Sequence, residues 1–201
     1  MRLYLVTDRA LLLGKDLLWT VREAAAGGVT MVQLREKECA TREFVELARA
    51  VKGVLEPFRV PLLVNDRVDV ALAAGADGVH VGQSDMAVAD VRRLMPPGAI
   101  VGLSAESEAQ LIEAEGLPID YIALSPVFST PTKTDTVIEW GLEGISRAKG
   151  LTRHPIVAIG GIHLGNAAAV RAVGADSVCV VSAICSATDP RAAARSFLEV
   201  L

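Results

Sequence analysis

Short β-branched apolar runs alternate with longer stretches whose apolar residues recur three and four positions apart, from one end of the chain to the other. The runs Arg2–Thr7, Met31–Leu34, Pro61–Val64, Gly78–Val81, Ile100–Leu103, Tyr121–Leu124, Ile156–Ile159 and Ser177–Val181 predict strands. Each is followed by a polar or glycine-bearing loop and then by a helical stripe. The clearest stripe is Phe44, Val45, Leu47, Ala48, Val51 and Leu55, spaced to share one helix face. Regular alternation of this kind specifies a parallel sheet with right-handed crossovers.

Three segments echo one another: Gly27-Gly28-Val29-Thr30-Met31-Val32, Gly75-Ala76-Asp77-Gly78-Val79-His80-Val81 and Gly174-Ala175-Asp176-Ser177-Val178-Cys179-Val180. In each, a glycine is placed to end a helix in the left-handed conformation just before a buried strand. One βα unit reused around a closed ring explains the echo. The expected fold is therefore α/β, a (β/α)8 TIM barrel in a single compact domain over residues 1–201. An open six-stranded sheet, the rival arrangement, has no place for the seventh and eighth units.

Composition supports this picture. Hydrophobic residues make up 51% of the 201 residues but aromatics only 4%, so the core must be aliphatic, as in buried parallel strands under Ala-rich helices. A net charge of -4 argues against nucleic acid as a partner. The first 18 residues carry Arg2, Asp8, Arg9, Lys15 and Asp16 rather than the apolar run of a secretory signal, and nothing approaches a membrane span of ~20 apolar residues. Cys39, Cys179 and Cys185 lack CxxC spacing, so disulfides and zinc are not expected. A cytoplasmic protein without a membrane partner is the expectation, with homo-oligomerisation left open.

Barrel enzymes work at the C-terminal ends of their strands, where the loops converge. Here those ends gather polar residues: Arg35, Glu36 and Lys37; Asn65 and Asp66; Gln83 and Asp85; Ser104; Thr130, Thr132 and Lys133; Gly160 and Gly161; Val181 and Ser182. The opposite rim offers helix-stop glycines, prolines and solvated charges such as Glu56, Arg59 and Asp120. Gly160-Gly161 together with Ser182 matches the phosphate site that barrels build after strands seven and eight; a tight turn is the competing explanation. Arg35, Lys37 and Lys133 form a cationic set suited to a diphosphate, against the alternative of ordinary surface charge. Asp66 and Asp85 follow adjacent strands. Oxygen ligands without His or Cys point to Mg2+. Alternatively the pair is a general acid and base, or Asp66 pairs with Arg67 and Asp85 caps a helix beginning near Met86. His80 reads as a satisfied interior imidazole, and Cys179 and Cys185 read as small buried hydrophobes.

The runs Leu3-Tyr4-Leu5-Val6-Thr7-Asp8, Gln33-Leu34-Arg35-Glu36-Lys37, Asn65-Asp66-Arg67-Val68-Asp69-Val70-Ala71, Gly78-Val79-His80-Val81-Gly82-Gln83-Ser84-Asp85, Thr130-Pro131-Thr132-Lys133 and Ile159-Gly160-Gly161-Ile162 stand in that order. Taken together, over nearly the whole chain, they resemble the thiamin phosphate synthase family. That family is a transferase family. It joins 4-amino-2-methyl-5-hydroxymethylpyrimidine diphosphate to 4-methyl-5-hydroxyethylthiazole phosphate by a dissociative route, releasing diphosphate. The resemblance implies that Gln33, Leu34, Arg35, Glu36, Lys37, Asn65, Ser104 and Lys133 hold the pyrimidine diphosphate. It assigns Mg2+ to Asp66 and Asp85, and the thiazole phosphate to Thr130, Pro131, Thr132, Gly161, Val181 and Ser182. Arg35, Lys37, Ser104 and Lys133 would carry the catalysis.

Two departures stand out. Glu106 occupies a position where the family commonly has His, and Ser125 replaces a more usual glycine before Pro126-Val127-Phe128. A sister family of thiazole tautomerases uses the His missing here and tends to lack the full diphosphate-binding set, so the comparison favours the synthase. The remaining alternatives are a sugar-phosphate isomerase, with Glu106 as the proton-transfer candidate, and a non-catalytic phosphate-binding barrel.

Overall fold

The computed structural model describes residues 2–129 and 139–201. Among them, strands β1 (Leu3–Val6), β2 (Met31–Leu34), β3 (Leu62–Asn65), β4 (Gly78–Val81), β5 (Ile100–Ala105), β6 (Tyr121–Leu124), β7 (Ile156–Ile159) and β8 (Ser177–Val180) alternate with helices. The helices are α1 (Leu17–Ala26), α2 (Thr41–Leu55), α3 (Val68–Ala74), α4 (Val88–Leu94), α5 (Glu108–Ala114), α6 (Gly141–Leu151), α7 (Leu164–Ala172), a single turn α8 (Ser182–Cys185) and α9 (Pro190–Val200). Every strand pairs in parallel with the next, and β8 returns to β1 with Cys179 opposite Tyr4, closing the predicted barrel. No helix among the described residues is long and apolar enough to cross a membrane.

Two strands end later than their apolar runs suggest. Asn65 pairs with His80, and Ser104 and Ala105 pair with Ala123 and Leu124. Asn65 and Ser104 are therefore held by the sheet ladder rather than by loops, and their orientations follow the strand's period of two.

That period sorts the core into two shells. Tyr4, Val6, Met31, Leu63, Tyr121, Ala123, Val157 and Cys179 fill the barrel interior. Leu3, Leu5, Val32, Leu34, Leu62, Val64, Val79 and Val81 belong to the larger shell between the strands and the helices. Leu34 was expected to bind substrate. Its side chain is fully buried in the outer shell, because Gln33 takes the inward position of β2. On α2 the predicted stripe buries Phe44, Ala48, Val51 and Leu55, with Val45 and Leu47 half-buried beside them.

The echoing segments build the N-terminal rim. Their glycines Gly28, Gly75 and Gly174 all take positive φ, at 105°, 65° and 115°. The aspartate two residues after the glycine then accepts the first N–H of the preceding strand. Asp77 Oδ2 accepts from Leu62 N at 2.9 Å, and Asp176 Oδ2 accepts from Ile156 N at 2.8 Å. Asp120 Oδ2 likewise accepts from Val101 N, the second residue of β5, at 2.7 Å. A cation completes each tie: Lys52 on Asp77, Arg92 on Asp120 and Lys149 on Asp176. Asp120, expected to be a solvated charge, is one of these ties. In the first echo Thr30 Oγ1 serves instead, accepting from Leu3 N and donating to Leu3 O.

Burial alone would push the Asp176 carboxyl up, but the Ile156 N–H and the Lys149 ammonium outweigh it and hold the pKa below 3.8. A depressed carboxylate stabilises the fold above its unfolded pKa and loses that contribution as pH falls through the folded value. Asp176→Ala is therefore expected to lower stability by about 1 kcal/mol at neutral pH, and by progressively less in acid. Turnover at permissive temperature should be unchanged. Thermal unfolding at several pH values, alongside an activity assay, checks both halves of the expectation.

Candidate active site

The C-terminal ends of the strands open onto a cavity of about 1210 Å³. Gln33, Arg35, Lys37, Asn65, Asp66, Asp85, Ser104, Gly161, Val181 and Ser182, separated in sequence by up to 149 positions, all line it. A volume above the range of a single drug-sized pocket has room for two small substrates. Glu106 and Ser125, the two departures, line it as well. Thr130, Pro131, Thr132 and Lys133 lie outside the described residues. Glu36 turns elsewhere: its carboxylate accepts from Arg9 Nε at 3.0 Å, and Arg9 also reaches Glu43. Burial raises the Glu36 pKa, with Arg9 pulling the other way. Like Leu34, Glu36 was expected to contact substrate, and its side chain is committed to protein partners.

Asp66 stands immediately after β3 with φ of 61°, a left-handed backbone that Asp tolerates better than most residues. Its N–H donates to His80 O at 2.8 Å, so the turn is stapled to β4. Asp85 comes from the loop after β4, where its Oδ2 accepts from Gly82 N at 2.7 Å. The two carboxyls are close enough for Asp85 to perturb Asp66. Partial burial and the neighbouring Asp85 carboxyl raise the Asp66 pKa from 3.8 to about 6, while Asn65 and Arg35 pull it down. Of the two competing explanations of the aspartates, the structural one does not fit. Arg67 pairs with Asp69 rather than Asp66, and α4 begins at Val88, two residues past Met86, with no side-chain cap.

Two carboxylates held this close repel unless a proton or a cation compensates them. Among the described residues no group of three or more His, Cys, Asp or Glu side chains forms a metal cage. The pair therefore suits a hard cation that takes one or two carboxylates and fills its other positions with water and phosphate oxygens, as Mg2+ does.

The raised pKa has a measurable consequence. Protonated Asp66 is favoured more in the folded than in the unfolded chain, so its contribution is complete below pH 3.8 and is lost as pH rises through about 6. Asp66→Asn should therefore stabilise the metal-free protein at pH 8 by about 1 kcal/mol, after allowance for the solvent access of the pair. That gain should vanish below pH 3.8. Melting curves of both proteins in the presence of a chelator test this.

Arg35 is positioned from two sides. Its N–H donates to Thr7 Oγ1 at 3.1 Å, and its Nη1 lies 3.6 Å from Asp8 Oδ2. Lys37 is exposed at the rim. The cations are thus on the same side of the barrel as the aspartates, contributed by the strand next to β3.

Beneath the mouth, a hydrogen-bonded chain crosses the barrel interior. Gln33 Nε2 donates to Tyr4 Oη at 2.6 Å, and Tyr4 Oη lies 3.0 Å from Tyr121 Oη. Tyr121 Oη lies 2.8 Å from His80 Nδ1, and His80 Nε2 lies 2.9 Å from Ser104 Oγ. The His80 ring stacks on Tyr121 with centroids 5.6 Å apart. Burial pulls the His80 pKa down to about 4, so the ring is neutral near pH 7. His80 is the satisfied interior imidazole that the sequence suggests. Tyr4 and Tyr121 were missed. The only signal was a tyrosine at an inward position in each of two aliphatic strands.

Gly160 and Gly161 have φ of 102° and 63°. A Cβ on Gly160 would come within 2.7 Å of Pro126 Cβ, and one on Gly161 within 2.7 Å of Phe128 Cβ. Val127 N and Phe128 N donate to Ile159 O and Gly160 O. The close packing of the loops after β6 and β7 therefore accounts for both glycines without a ligand, while their backbones still face the cavity. His163 caps α7, its Nδ1 accepting from Gly165 N at 3.1 Å and its own N–H donating to Asn166 Oδ1.

Comparisons with known proteins agree with this geometry. A family model described as "Thiamine monophosphate synthase" matches residues 3–184. The chain is 53% identical to a thiamine-phosphate synthase of Albidiferax ferrireducens over 201 residues, all of this chain and 92% of that protein. It is 54% identical to one of Vibrio campbellii over 200 residues, 100% of this chain and 98% of that protein. A solved thiamine phosphate pyrophosphorylase of Pyrococcus furiosus superposes with a TM-score of 0.90 at 37% identity, covering 99% of this chain and 94% of that one. A family match over most of the chain, full-length relatives above half identity and a closely superposing barrel lead to one assignment: this chain belongs to the thiamine monophosphate synthase family and is a transferase of thiamine biosynthesis.

Proposed function

We propose that the protein transfers the 4-amino-2-methyl-5-pyrimidinylmethyl group from its diphosphate to the ring nitrogen of 4-methyl-5-(2-phosphoethyl)thiazole, giving thiamin phosphate and diphosphate with Mg2+ bound at Asp66 and Asp85. The observation that carries this reading is the gathering of those two neighbouring carboxylates with Arg35 and Lys37 around one cavity roomy enough for two substrates.

In the dissociative route the carbon–oxygen bond to diphosphate breaks first, and the electron pair leaves with the diphosphate. The thiazole nitrogen then donates its lone pair to the pyrimidinylmethyl cation. Bound Mg2+ supplies charge neutralisation for the departing diphosphate. Asp66 and Asp85 hold that ion at the mouth. Arg35, fixed by Thr7 and Asp8, presents planar paired donors to phosphoryl oxygens, while Lys37 offers a mobile charge at the rim. Ser104 contributes a hydroxyl donor, and Gln33 and Asn65 offer polar groups from inward strand positions. On the proposed thiazole side, Gly161, Val181 and Ser182 anchor the phosphate, which makes capture of the cation a local event. No side chain has to move a proton for the new bond to form.

Purified protein is mixed with both substrates, with added Mg2+ or with a chelator, and thiamin phosphate is followed by mass. Product should accumulate only with the metal. Product formation that is equal in chelator would sink the metal assignment, and no product in either arm would sink the activity.

A further inference from the structure

The buried chain from Gln33 to Ser104 has a direction, and the direction reaches the mouth. Tyr4 Oη accepts a hydrogen from Gln33 Nε2 and carries one proton of its own. Tyr121 Oη, at 3.0 Å, is placed to accept that proton. If Tyr121 donated to Tyr4 instead, the Tyr4 proton would have no protein partner in the chain and would have to be met from the cavity that Tyr4 lines. The arrangement that gives every hydrogen of the chain a protein partner has Tyr4 donating to Tyr121 and Tyr121 donating to His80 Nδ1 at 2.8 Å. A neutral imidazole that accepts at Nδ1 must carry its hydrogen at Nε2, so it donates to Ser104 Oγ at 2.9 Å. Ser104 then accepts from below, and its own O–H is turned toward the cavity it lines.

We propose that Tyr4, Tyr121 and His80 are positioning residues that set the polarity of Ser104, so that its hydroxyl meets the ligand as a hydrogen-bond donor. The group it takes is an acceptor: a diphosphate oxygen or an unprotonated ring nitrogen. Reversing the chain would turn the Ser104 proton down onto His80 and present only lone pairs to a ligand rich in acceptors. Tyr121 is the informative member, because it lies under the cavity without lining it and reaches a ligand only through the chain. Its ring is also fixed from the side, since it fills the space that a side chain on Gly102 would need.

The inference rests on the proposed transfer activity, and its test separates the two. The tautomer of His80 is read from the nitrogen spectrum of uniformly labelled wild-type protein, which contains only three histidines, assigned with His154 and His163 variants. A hydrogen on Nε2 with an unprotonated Nδ1 is expected. A hydrogen on Nδ1 reverses the chain and overturns the proposal, whatever the enzyme turns over.

The second measurement is a double-mutant cycle in kcat. Ser104→Ala should cost on the order of 10²-fold, and Tyr121→Phe about tenfold, as is typical of groups that orient a first-contact residue. If Tyr121 acts through Ser104, the double variant should be as slow as Ser104→Ala alone. Costs that multiply would assign Tyr121 a purely structural part and overturn the proposal. Should Tyr121→Phe fail to fold, the wild-type tautomer still decides. A wild-type protein without turnover would remove the activity reading while leaving the tautomer result intact.

Discussion

Asp85→Ala should leave the barrel folded and reduce Mg2+-dependent turnover by about 10²-fold or more. The side chain sits on an exposed loop residue, and its hydrogen bond within the fold is to Gly82 N, so the cost to folding is about 1 kcal/mol. The cost to chemistry is much larger on the proposed assignment. One of two metal-holding carboxylates is gone, and the diphosphate charge that grows as the carbon–oxygen bond breaks is met by fewer positive partners. The substitution also frees Asp66 from its neighbour, so the Asp66 pKa should move back toward 3.8. Steady-state kinetics across a Mg2+ titration, with a melting curve on the same sample, provides the check. Turnover like that of wild type at every metal concentration would exclude Asp85 from the metal site.

Gly102→Ala should have the opposite profile, damaging the fold first. Gly102 is the inward residue of β5 opposite Tyr121, and a Cβ there would overlap the Tyr121 ring at Cζ, Oη and Cε1. The ring has nowhere to go. Its hydroxyl is bonded to Tyr4 and His80, its face stacks on His80, and Tyr4 meets it edge-on at 5.9 Å between centroids. Overpacking at such a point costs about 3 kcal/mol, which for a chain of this size is a fall of roughly 6–12 °C in Tm. Adding Tyr121→Val to Gly102→Ala should restore part of that loss by making room, though not the activity. A melting temperature equal to wild type in the single variant would mean that the ring relaxes more freely than its bonds allow.

Much of this architecture is legible in the chain itself. The eight apolar runs define the strands because each must be buried on both faces, and the glycine echo marks where helices stop and strands begin. Asp66, Asp85, Arg35 and Ser104 can be placed at the mouth from strand ends alone, since barrel closure brings together everything just past those ends. Three features resist that reasoning. Leu34 and Glu36 sit inside the same motif as Arg35, but side-chain direction alternates along a strand and its continuation, so adjacent residues face different surroundings. Gly160 and Gly161 look like an anion cradle, yet their close contacts are with Pro126 and Phe128, which sequence distance hides. The Gln33-to-Ser104 chain draws single residues from β1, β2, β4, β5 and β6, and only barrel closure makes them neighbours.

Asp77, Asp120 and Asp176 fasten strand beginnings at the rim opposite the mouth. Natural variation can therefore rework the loops that choose a substrate without loosening what keeps the cylinder shut. A lineage built this way is free to explore new chemistry at one end for as long as the other end stays tied.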